Sequence, residues 1–570
     1  MEQFYSGVAM RRASADRGRG PGGRILHVTF SHPTPMCHRR RTPMSHPPIL
    51  PASQGVEAIR ERFPDLLRDE SNLTGEGVER VYLPETAEEV ASVVGEAARL
   101  GIPLSVSGAR TGITGGAVPV GTRWVLSLQR LNRFLGADRD PGTGAPFVRA
   151  EAGLSLAELE ERVRELGPME GREWVYPVDP TEWSASVGGT VATNASGSRS
   201  YHFGPTGAWV RALRIVLADG RLVELRRGEA PVVEREVRWP EGFGDRVLRV
   251  PDLPIPSAKC VAGYGLEPGG DLLDLFIGAE GTLGVVVEAE LQLAPLPRHI
   301  LSLFCFLPQG SDGLEFVQRL KNEPALSPLA IEFLDAACLD LLREERASGR
   351  GDHIPDFPAT AGEAIYLELP FEDDLEMERG IGVLEEALGW VGASLEDTWA
   401  GDEEGERARM RHLRHSVPEA VNARITRRKR EVPGLHKVGT DLAVPDRSAA
   451  ELYRIYRERR STGGVESVLF GHAAENHLHL NFLPRSPEEL ARAKAIHLEL
   501  AREAVRLGGS VTAEHGIGRI KRELVEIQYG PAGVEELRRV KDFLDPQGIL
   551  NPGVLLPDLP EGPDLPGRPG

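Results

Sequence analysis

From about residue 78 the apolar positions of this chain fall into short runs whose period switches between two and 3.6 residues. Such switching marks strands alternating with helices. Val78–Leu83 reads as a strand. Thr86 is placed to cap a helix that begins Ala87-Glu88-Glu89, its hydroxyl accepting from the free amides of the first turn, and Gly101 ends that helix after Leu100. Pro103–Ser107 and Trp124–Ser127 read as strands and Ser155–Leu166 as a helix. Ala212–Leu217 runs through the turn Asp219-Gly220 into a partner strand, Leu222–Leu225, and Leu283–Leu293 alternates as strand again.

A second region starts near Pro297. Ile300–Leu307 and Ile365–Glu368 predict strands. Ser311–Lys321, residues 376–388, residues 403–423 and Asp446–Thr462 predict helices, an α+β layout of antiparallel strands with covering helices. Leu478, Leu480 and Phe482 alternate as a buried strand. Pro487–Leu507 and Val534–Leu544 predict helices, and Asp545–Gly553 a closing loop. There is no internal repeat.

At 570 residues the chain is too long for one core, so two or three domains are expected. Hydrophobic residues at 41% and charged residues at 27% are an ordinary globular composition. The net charge of −18 excludes a general nucleic-acid binder, which needs clustered cations. The one basic run, Arg424 to Arg430, reads as a solvated face before it reads as a polyanion site. Cys37, Cys260, Cys305 and Cys338 form no CxxC pair and no disulfide framework, which suits a reducing, cytoplasmic setting. No apolar run reaches about 18 residues, so the expectation is at most peripheral attachment at the inner membrane. Residues 1–50, rich in Arg, Gly and Pro and without an apolar signal core, are expected to be a disordered tail or to precede the true start, with Met44 the alternative. Residues 557–570 are expected to be a loose tail.

The densest chemistry is Phe470-Gly471-His472-Ala473-Ala474-Glu475-Asn476-His477-Leu478-His479-Leu480-Asn481, which packs three of the fifteen histidines into eight residues. Ala513-Glu514-His515-Gly516-Ile517-Gly518 follows. Imidazoles beside a carboxylate suit a divalent transition ion. On a strand, His477, His479 and Asn481 share one face. A histidine-rich strand and turn with ordinary hydrogen bonds is the alternative.

Three stretches are too poor in side chains for a core: Gly108-Ala109-Arg110-Thr111-Gly112-Ile113-Thr114-Gly115-Gly116, then Val187 to Ser198, then Gly278 to Gly284. Glycine lets backbone amides approach an anion closely and form a phosphate nest. The first stretch is neither a Walker A loop nor a dinucleotide fingerprint, so NAD is not expected. The three together point to one extended, planar or phosphorylated ligand against which the backbone lies flat.

These stretches resemble a known family. Ser107-Gly108-x-x-Thr111-Gly112-x-x-Gly115-Gly116, Asp179-Pro180 followed by Gly188-Gly189 to Gly197, and Gly278-x-Glu280-Gly281-Thr282-Leu283-Gly284 resemble the flavin segments of the vanillyl-alcohol oxidase and p-cresol methylhydroxylase superfamily of FAD-linked oxidases. Gly471-His472 with His479-x-Asn481, Glu514-His515-Gly516-x-Gly518, and Leu550-Asn551-Pro552-Gly553 resemble its branch containing D-lactate dehydrogenase, the glycolate oxidase flavin subunit and D-2-hydroxyglutarate dehydrogenase. The resemblance covers roughly residues 75–555.

It implies an α+β chain with a two-subdomain, PCMH-type FAD-binding domain over 51–298. An α+β cap or substrate domain over 299–510 and a segment over 511–556 that returns to the flavin domain complete it. FAD is expected to be non-covalent, because the first loop carries Ala109-Arg110 where covalent members have a histidine. The implied cofactor residues are Ser107, Gly108, Ala109, Arg110, Thr111, Gly112, Gly115, Gly116, Pro180, Gly188, Gly189, Asn194, Gly197, Ser198, Glu280, Gly281, Thr282, Gly284 and Asn551. His472, His479 and Glu514 are the implied ligands of a divalent metal, zinc by their type, with manganese or iron as alternatives. His472 is expected to reach it from the turn before the strand. The family often has Gly-Asp-Gly-Asn between its two metal histidines where this chain has Ala474-Glu475-Asn476-His477, which leaves the part played by His477 open.

The implied reaction is oxidation of a D-2-hydroxy acid, D-lactate-like or glycolate, to the 2-oxo acid by hydride transfer to flavin N5. His515 is the implied base, Asn481 a substrate contact, and Arg414 and Lys437 the cations for the substrate carboxylate. The electron acceptor is expected to be separate: a cytochrome, a quinone or an electron-transfer flavoprotein. A homodimer or an iron–sulfur partner subunit is compatible with the sequence. Two other classes fit parts of the pattern: a metal-dependent hydrolase on the histidine cluster, and a flavin-binding electron-transfer subunit without substrate chemistry.

Overall fold

The computed structural model describes residues 51–169, 171–239, 247–351 and 354–556. The tails expected at 1–50 and 557–570, with Cys37 and Met44, lie outside the described residues. Cys260, Cys305 and Cys338 are free thiols.

The first sheet orders Ser53–Gln54, Arg80–Tyr82, Trp124–Ser127 and Leu104–Ser107, the last three mutually parallel. The helix Ala87–Leu100 crosses it. Thr86 Oγ1 accepts from Glu89 N at 3.2 Å, and Gly101 ends the helix at φ 61°. Val90, Val93, Val94 and Ala97 line the helix's buried stripe and share one core with Tyr82, Trp124, Val216, Ile549 and Leu550. The closing loop therefore returns to this sheet, and Leu550 bridges Leu104 in parallel.

The second sheet is antiparallel and orders Phe134–Arg139, Pro146–Glu151, Gly284–Gln292, Val210–Leu217 and Leu222–Arg226. The third is also antiparallel, with seven strands in the order Thr398–Gly401, His299–Pro308, Ala361–Phe371, Ala330–Leu334, Ser467–His472, His477–Phe482 and Val438–Gly439. Helices Ala336–Ala347 and Glu404–Glu431 cover it through Leu339, Leu342, Leu413 and Val417.

The basic run closes the Glu404–Glu431 helix. Arg424 and Arg428 pair with Glu466 and Arg427 with Glu345, so its charge is largely spent within the fold. The run Val187–Thr193 is a helix, not a flat backbone: Ser186 Oγ accepts from Gly189 N at 3.3 Å, and Val187 and Val191 are buried. Small residues are needed there because a Cβ on Gly188 would stand 2.6 Å from Ala152 Cβ.

Candidate active site

Strands Ser467–His472 and His477–Phe482 form a hairpin with His472 opposite His477 and Phe470 opposite His479. Residues opposite one another share a face. His472 therefore reaches the cluster as the last residue of a strand, not from a turn as its sequence position suggests. The reversal is a short 3-10 turn, Ala473–Glu475, with Asn476 left-handed at φ 52°.

Glu514 sits over this face. Its Oε1 is 3.2 Å from His472 Nε2 and 3.5 Å from His479 Nε2, and its Oε2 is 4.0 Å from His477 Nδ1. One ligand atom from each of the four residues lies within 4.8 Å of all the others. The far nitrogen of each ring is held. His472 Nδ1 meets Glu332 Oε1 at 2.7 Å, His477 Nε2 meets Asp441 Oδ1 at 2.9 Å, and His479 Nδ1 meets the Thr440 carbonyl at 3.2 Å. Outer acceptors of this kind place the ring proton on the far side and turn the lone pair inward. A divalent transition ion fits such donors, imidazole nitrogens with one carboxylate.

The electrostatics agree with close coupling. Burial would lower His472, but the Glu332 and Glu514 carboxylates push it up to about 10. Burial, then the neighbouring His479, push His477 down to about 4, and burial also depresses His479. Against burial, His472 and Lys259 hold Glu514 well below the usual carboxylate range.

His515 is partly exposed beside the cluster, with Nε2 3.7 Å from Glu514 Oε1 and Nδ1 3.2 Å from Asp441 Oδ1. Asp441 is a hub: Oδ2 also accepts from His515 N at 3.1 Å, from Lys521 Nζ at 2.7 Å and from the Thr512 hydroxyl. Glu332 does the same on the other side, taking Arg414 Nη2 at 3.2 Å as well as His472. Asn481 is buried, its amide donating to the His479 carbonyl at 3.3 Å. Lys437 Nζ donates to Asn422 Oδ1 at 2.9 Å, on the helix that carries Arg414.

Glu332, Asp441 and Lys259 were not expected at the site. Lys259 Nζ is buried between Glu475 Oε2 at 2.9 Å and Glu514 Oε2 at 3.2 Å, and donates to Ser200 Oγ at 2.8 Å. Glu332 had one readable signal, a carboxylate flanked in sequence by Ala330, Ile331, Phe333 and Leu334, where a buried charge requires a partner.

The glycine loops converge on the same region. Ser107 ends its strand buried, and a Cβ on Gly108 would stand 2.4 Å from Ser186 Oγ, the hydroxyl that also takes Ala109 N at 3.4 Å. Arg110, left-handed at φ 64°, donates to the Gly108 carbonyl, and burial pushes its guanidinium pKa down. That cation, followed by Thr111 and Gly112 and by the reversal at Gly115-Gly116, suits a pyrophosphate. A Cβ on Gly197 would lie 1.5 Å from the Asp179 carbonyl just before Pro180, and Ser198 Oγ donates to Asp179 Oδ2 at 3.2 Å. Asn194 caps the short helix at φ 48° and accepts Gly207 N at 2.9 Å. Asn551 stitches the closing loop in: its Oδ1 takes Val106 N at 2.8 Å, and its Nδ2 donates to the Glu280 carbonyl at 2.8 Å. A Cβ on Gly281 would meet that amide at 2.8 Å, Thr282 Oγ1 donates to the Ala279 carbonyl at 2.7 Å, and Gly284 packs against Ile215.

Glu280 joins the two halves, since its carboxylate accepts Ile517 N and Gly518 N, each at 2.8 Å. Burial raises its pKa from 4.5 to about 7, against those two amides. The folded protein therefore holds this proton more tightly than the unfolded chain. Stability from this group falls as pH rises from 4.5 to 7, by about 3 kcal/mol, and stays lost above it. Glu280→Gln is expected to flatten that part of the pH dependence of Tm, measured by calorimetry between about pH 5 and pH 8. An unchanged slope would remove Glu280 as its source.

Residues 78–226 match the family described as FAD binding domain, and residues 296–555 that described as FAD linked oxidases, C-terminal domain. The chain is similar to a D-lactate dehydrogenase of Anaerostipes hadrus, 29% identical over 506 residues, covering 86% of this chain and 92% of that protein. It is equally similar to a D-2-hydroxyglutarate dehydrogenase of Xanthomonas citri pv. viticola, 29% identical over 524 residues, covering 90% of this chain and 97% of that protein. A solved structure, the 4-ethylphenol oxidase from Gulosibacter chungangensis, shares the fold at a TM-score of 0.57 and 19% identity, over 86% of this chain and 91% of that one.

Proposed function

This chain belongs to the FAD-linked oxidases, and on that premise we propose that it oxidises a small D-2-hydroxy acid to the 2-oxo acid with the help of a divalent metal. The observation that carries this reading is the Glu280 carboxylate. It ties the third glycine loop of the flavin-binding half to Ile517 and Gly518, next to Glu514 and His515. The cofactor's cradle and the donor cluster are thus held by one side chain.

In this reading Ser107 to Gly116, Pro180, Gly188 to Ser198, Glu280 to Gly284 and Asn551 hold FAD, and His472, His479 and Glu514 hold the metal. Bound FAD supplies a two-electron acceptor, and the ion supplies Lewis acidity toward the substrate hydroxyl. His515 takes the hydroxyl proton at Nε2, its other nitrogen fixed on Asp441. Arg414, held by Glu332, pairs with the substrate carboxylate, a task for which a planar guanidinium is suited. Asn481 is a neutral contact on the His479 face. Lys437 is held by Asn422 on the helix that carries Arg414. The electrons leave to a separate cytochrome, quinone or electron-transfer flavoprotein. Among the described residues no helix is long and apolar enough to cross a membrane.

The test is anaerobic mixing of the purified holoprotein with the D and L forms of lactate and 2-hydroxyglutarate, and with glycolate. Flavin bleaching by a D-2-hydroxy acid or glycolate is expected; no bleaching by any of them would overturn the reading. Gly197→Ala tests the cofactor half. Its Cβ has no room beside the Asp179 carbonyl, 1.5 Å away. The variant is expected to purify with little flavin and a lowered Tm, read from the ratio of flavin to protein absorbance and a melting curve. Full flavin occupancy would show that this backbone crossing is not needed for the cradle.

A further inference from the structure

We propose that His477 is a fourth protein ligand of the ion, making the donor set three imidazoles and one carboxylate. This rests on the reading above that His472, His479 and Glu514 hold a divalent metal. It goes beyond it by assigning a histidine that neither the motif nor the mechanism uses.

Three independent features of His477 point the same way. It is completely buried, and its Nδ1 has no hydrogen-bond partner. That nitrogen lies 4.0 Å from Glu514 Oε2, and a ring nitrogen of His477 lies within 4.8 Å of one ligand atom each of His472 and His479. A buried ring nitrogen aimed at two other imidazoles and a carboxylate lacks a donor, and a cation at their centre would satisfy it.

The second feature is the lock on the far side of the ring. Asp441 Oδ1 holds Nε2 at 2.9 Å, as Glu332 holds His472 and the Thr440 carbonyl holds His479. His477 shares this outer lock with the other two rings, while its inward nitrogen stands farther from Glu514, 4.0 Å against 3.2 and 3.5 Å. The third feature is the cross-strand register. His477 stands directly opposite His472, and its ring centroid is 5.4 Å from that of His472 and 4.5 Å from that of His479.

The assignment bears on which ion fits. Four protein donors saturate a tetrahedral ion such as zinc. A six-coordinate first-row ion keeps two positions, the number a 2-hydroxy acid needs to chelate through its carboxylate and hydroxyl. Three nitrogen donors also favour the later members of that row over manganese. Iron(II), cobalt(II) and nickel(II) are therefore preferred to zinc.

The test uses the flavin-loaded protein, stripped with a chelator and titrated with cobalt(II) in competition with a chelating dye. His477→Asn, a smaller neutral side chain, is expected to weaken cobalt binding at least about 100-fold and to move the visible cobalt bands, since even outer-shell changes at metal sites cost 10–100-fold. Wild-type affinity and spectrum in His477→Asn, with binding lost in His479→Ala, would overturn the proposal and leave the three-ligand site standing. Wild-type affinity in both, and in Glu514→Ala, would overturn the metal reading itself. A measurement without substitution guards against a misfolded variant. Pulsed EPR of copper(II)-loaded wild-type protein counts coordinated imidazoles through their remote nitrogens: three are expected, and two would overturn the proposal.

Discussion

Glu514→Ala is expected to keep FAD bound while slowing flavin reduction by D-lactate by about 10³–10⁴-fold, the rate equivalent of several kcal/mol of Lewis-acid assistance. Glu514 contributes the one carboxylate of the cluster, with Oε1 3.2 Å from His472 Nε2 and 3.5 Å from His479 Nε2. Without it the ion faces neutral imidazoles alone and loses its charge-neutralising ligand. The fold is expected to tolerate the change because the buried groups around Glu514 keep other partners. Lys259 retains Glu475 at 2.9 Å, and His472 retains Glu332 at 2.7 Å. Stopped-flow reduction under anaerobic conditions checks the rate, and the flavin spectrum checks occupancy. A variant reduced within about ten-fold of the wild-type rate would sink the metal-assisted scheme, whereas loss of flavin would move Glu514 from the chemistry to the fold.

Legibility in the sequence follows how local each cause is. The Thr86 cap and Gly101 stop are contacts within a few residues, so the helix Ala87–Leu100 is read almost to the residue. The common face of His477, His479 and Asn481 follows from strand alternation alone. The partners that make this face a site are distant. Glu332 lies 140 residues from His472, and Asp441 lies 36 residues from His477, each on a strand or strand end that is adjacent only in the folded sheet. Ser467–His472 and Ala330–Leu334 escape the pattern because they are interior strands of the seven-stranded sheet, buried on both faces or nearly so, and do not alternate. The helix Val187–Thr193 escapes it for the opposite reason. Its Gly-Gly-Thr composition disfavours a helix, and only the Ser186 cap and packing against Ala152 impose one. Gly-rich motifs thus mark where the backbone packs closely without showing which conformation it takes.

Asp441→Asn is expected to have the second large effect, and a comparison with Lys521→Met separates its two causes. Asp441 Oδ1 receives His515 Nδ1 at 3.2 Å and His477 Nε2 at 2.9 Å, while Oδ2 receives Lys521 Nζ at 2.7 Å. Burial would raise this carboxyl, yet His515 and the Lys521 ammonium beside it hold it well below the usual range. Replacing it by an amide breaks a buried ion pair and leaves the Lys521 ammonium with neutral partners, the Thr512 hydroxyl and the new amide, a loss of up to about 3–5 kcal/mol in stability. Lys521→Met breaks the same pair from its other end and is expected to destabilise comparably. The two variants part company in catalysis. In Lys521→Met the carboxylate still orients His515, and the rate of flavin reduction is expected to stay within about ten-fold of wild type. In Asp441→Asn His515, the proposed base, loses both its orientation and the anion that would stabilise its charged form. Measured with the metal in excess, because Asp441 also holds His477, the loss approaches the whole contribution of a positioned base, about 10²–10⁴-fold. Equal slowing in both variants would make Asp441 a structural residue only, and would remove the orientation of His515 as the cause of the loss.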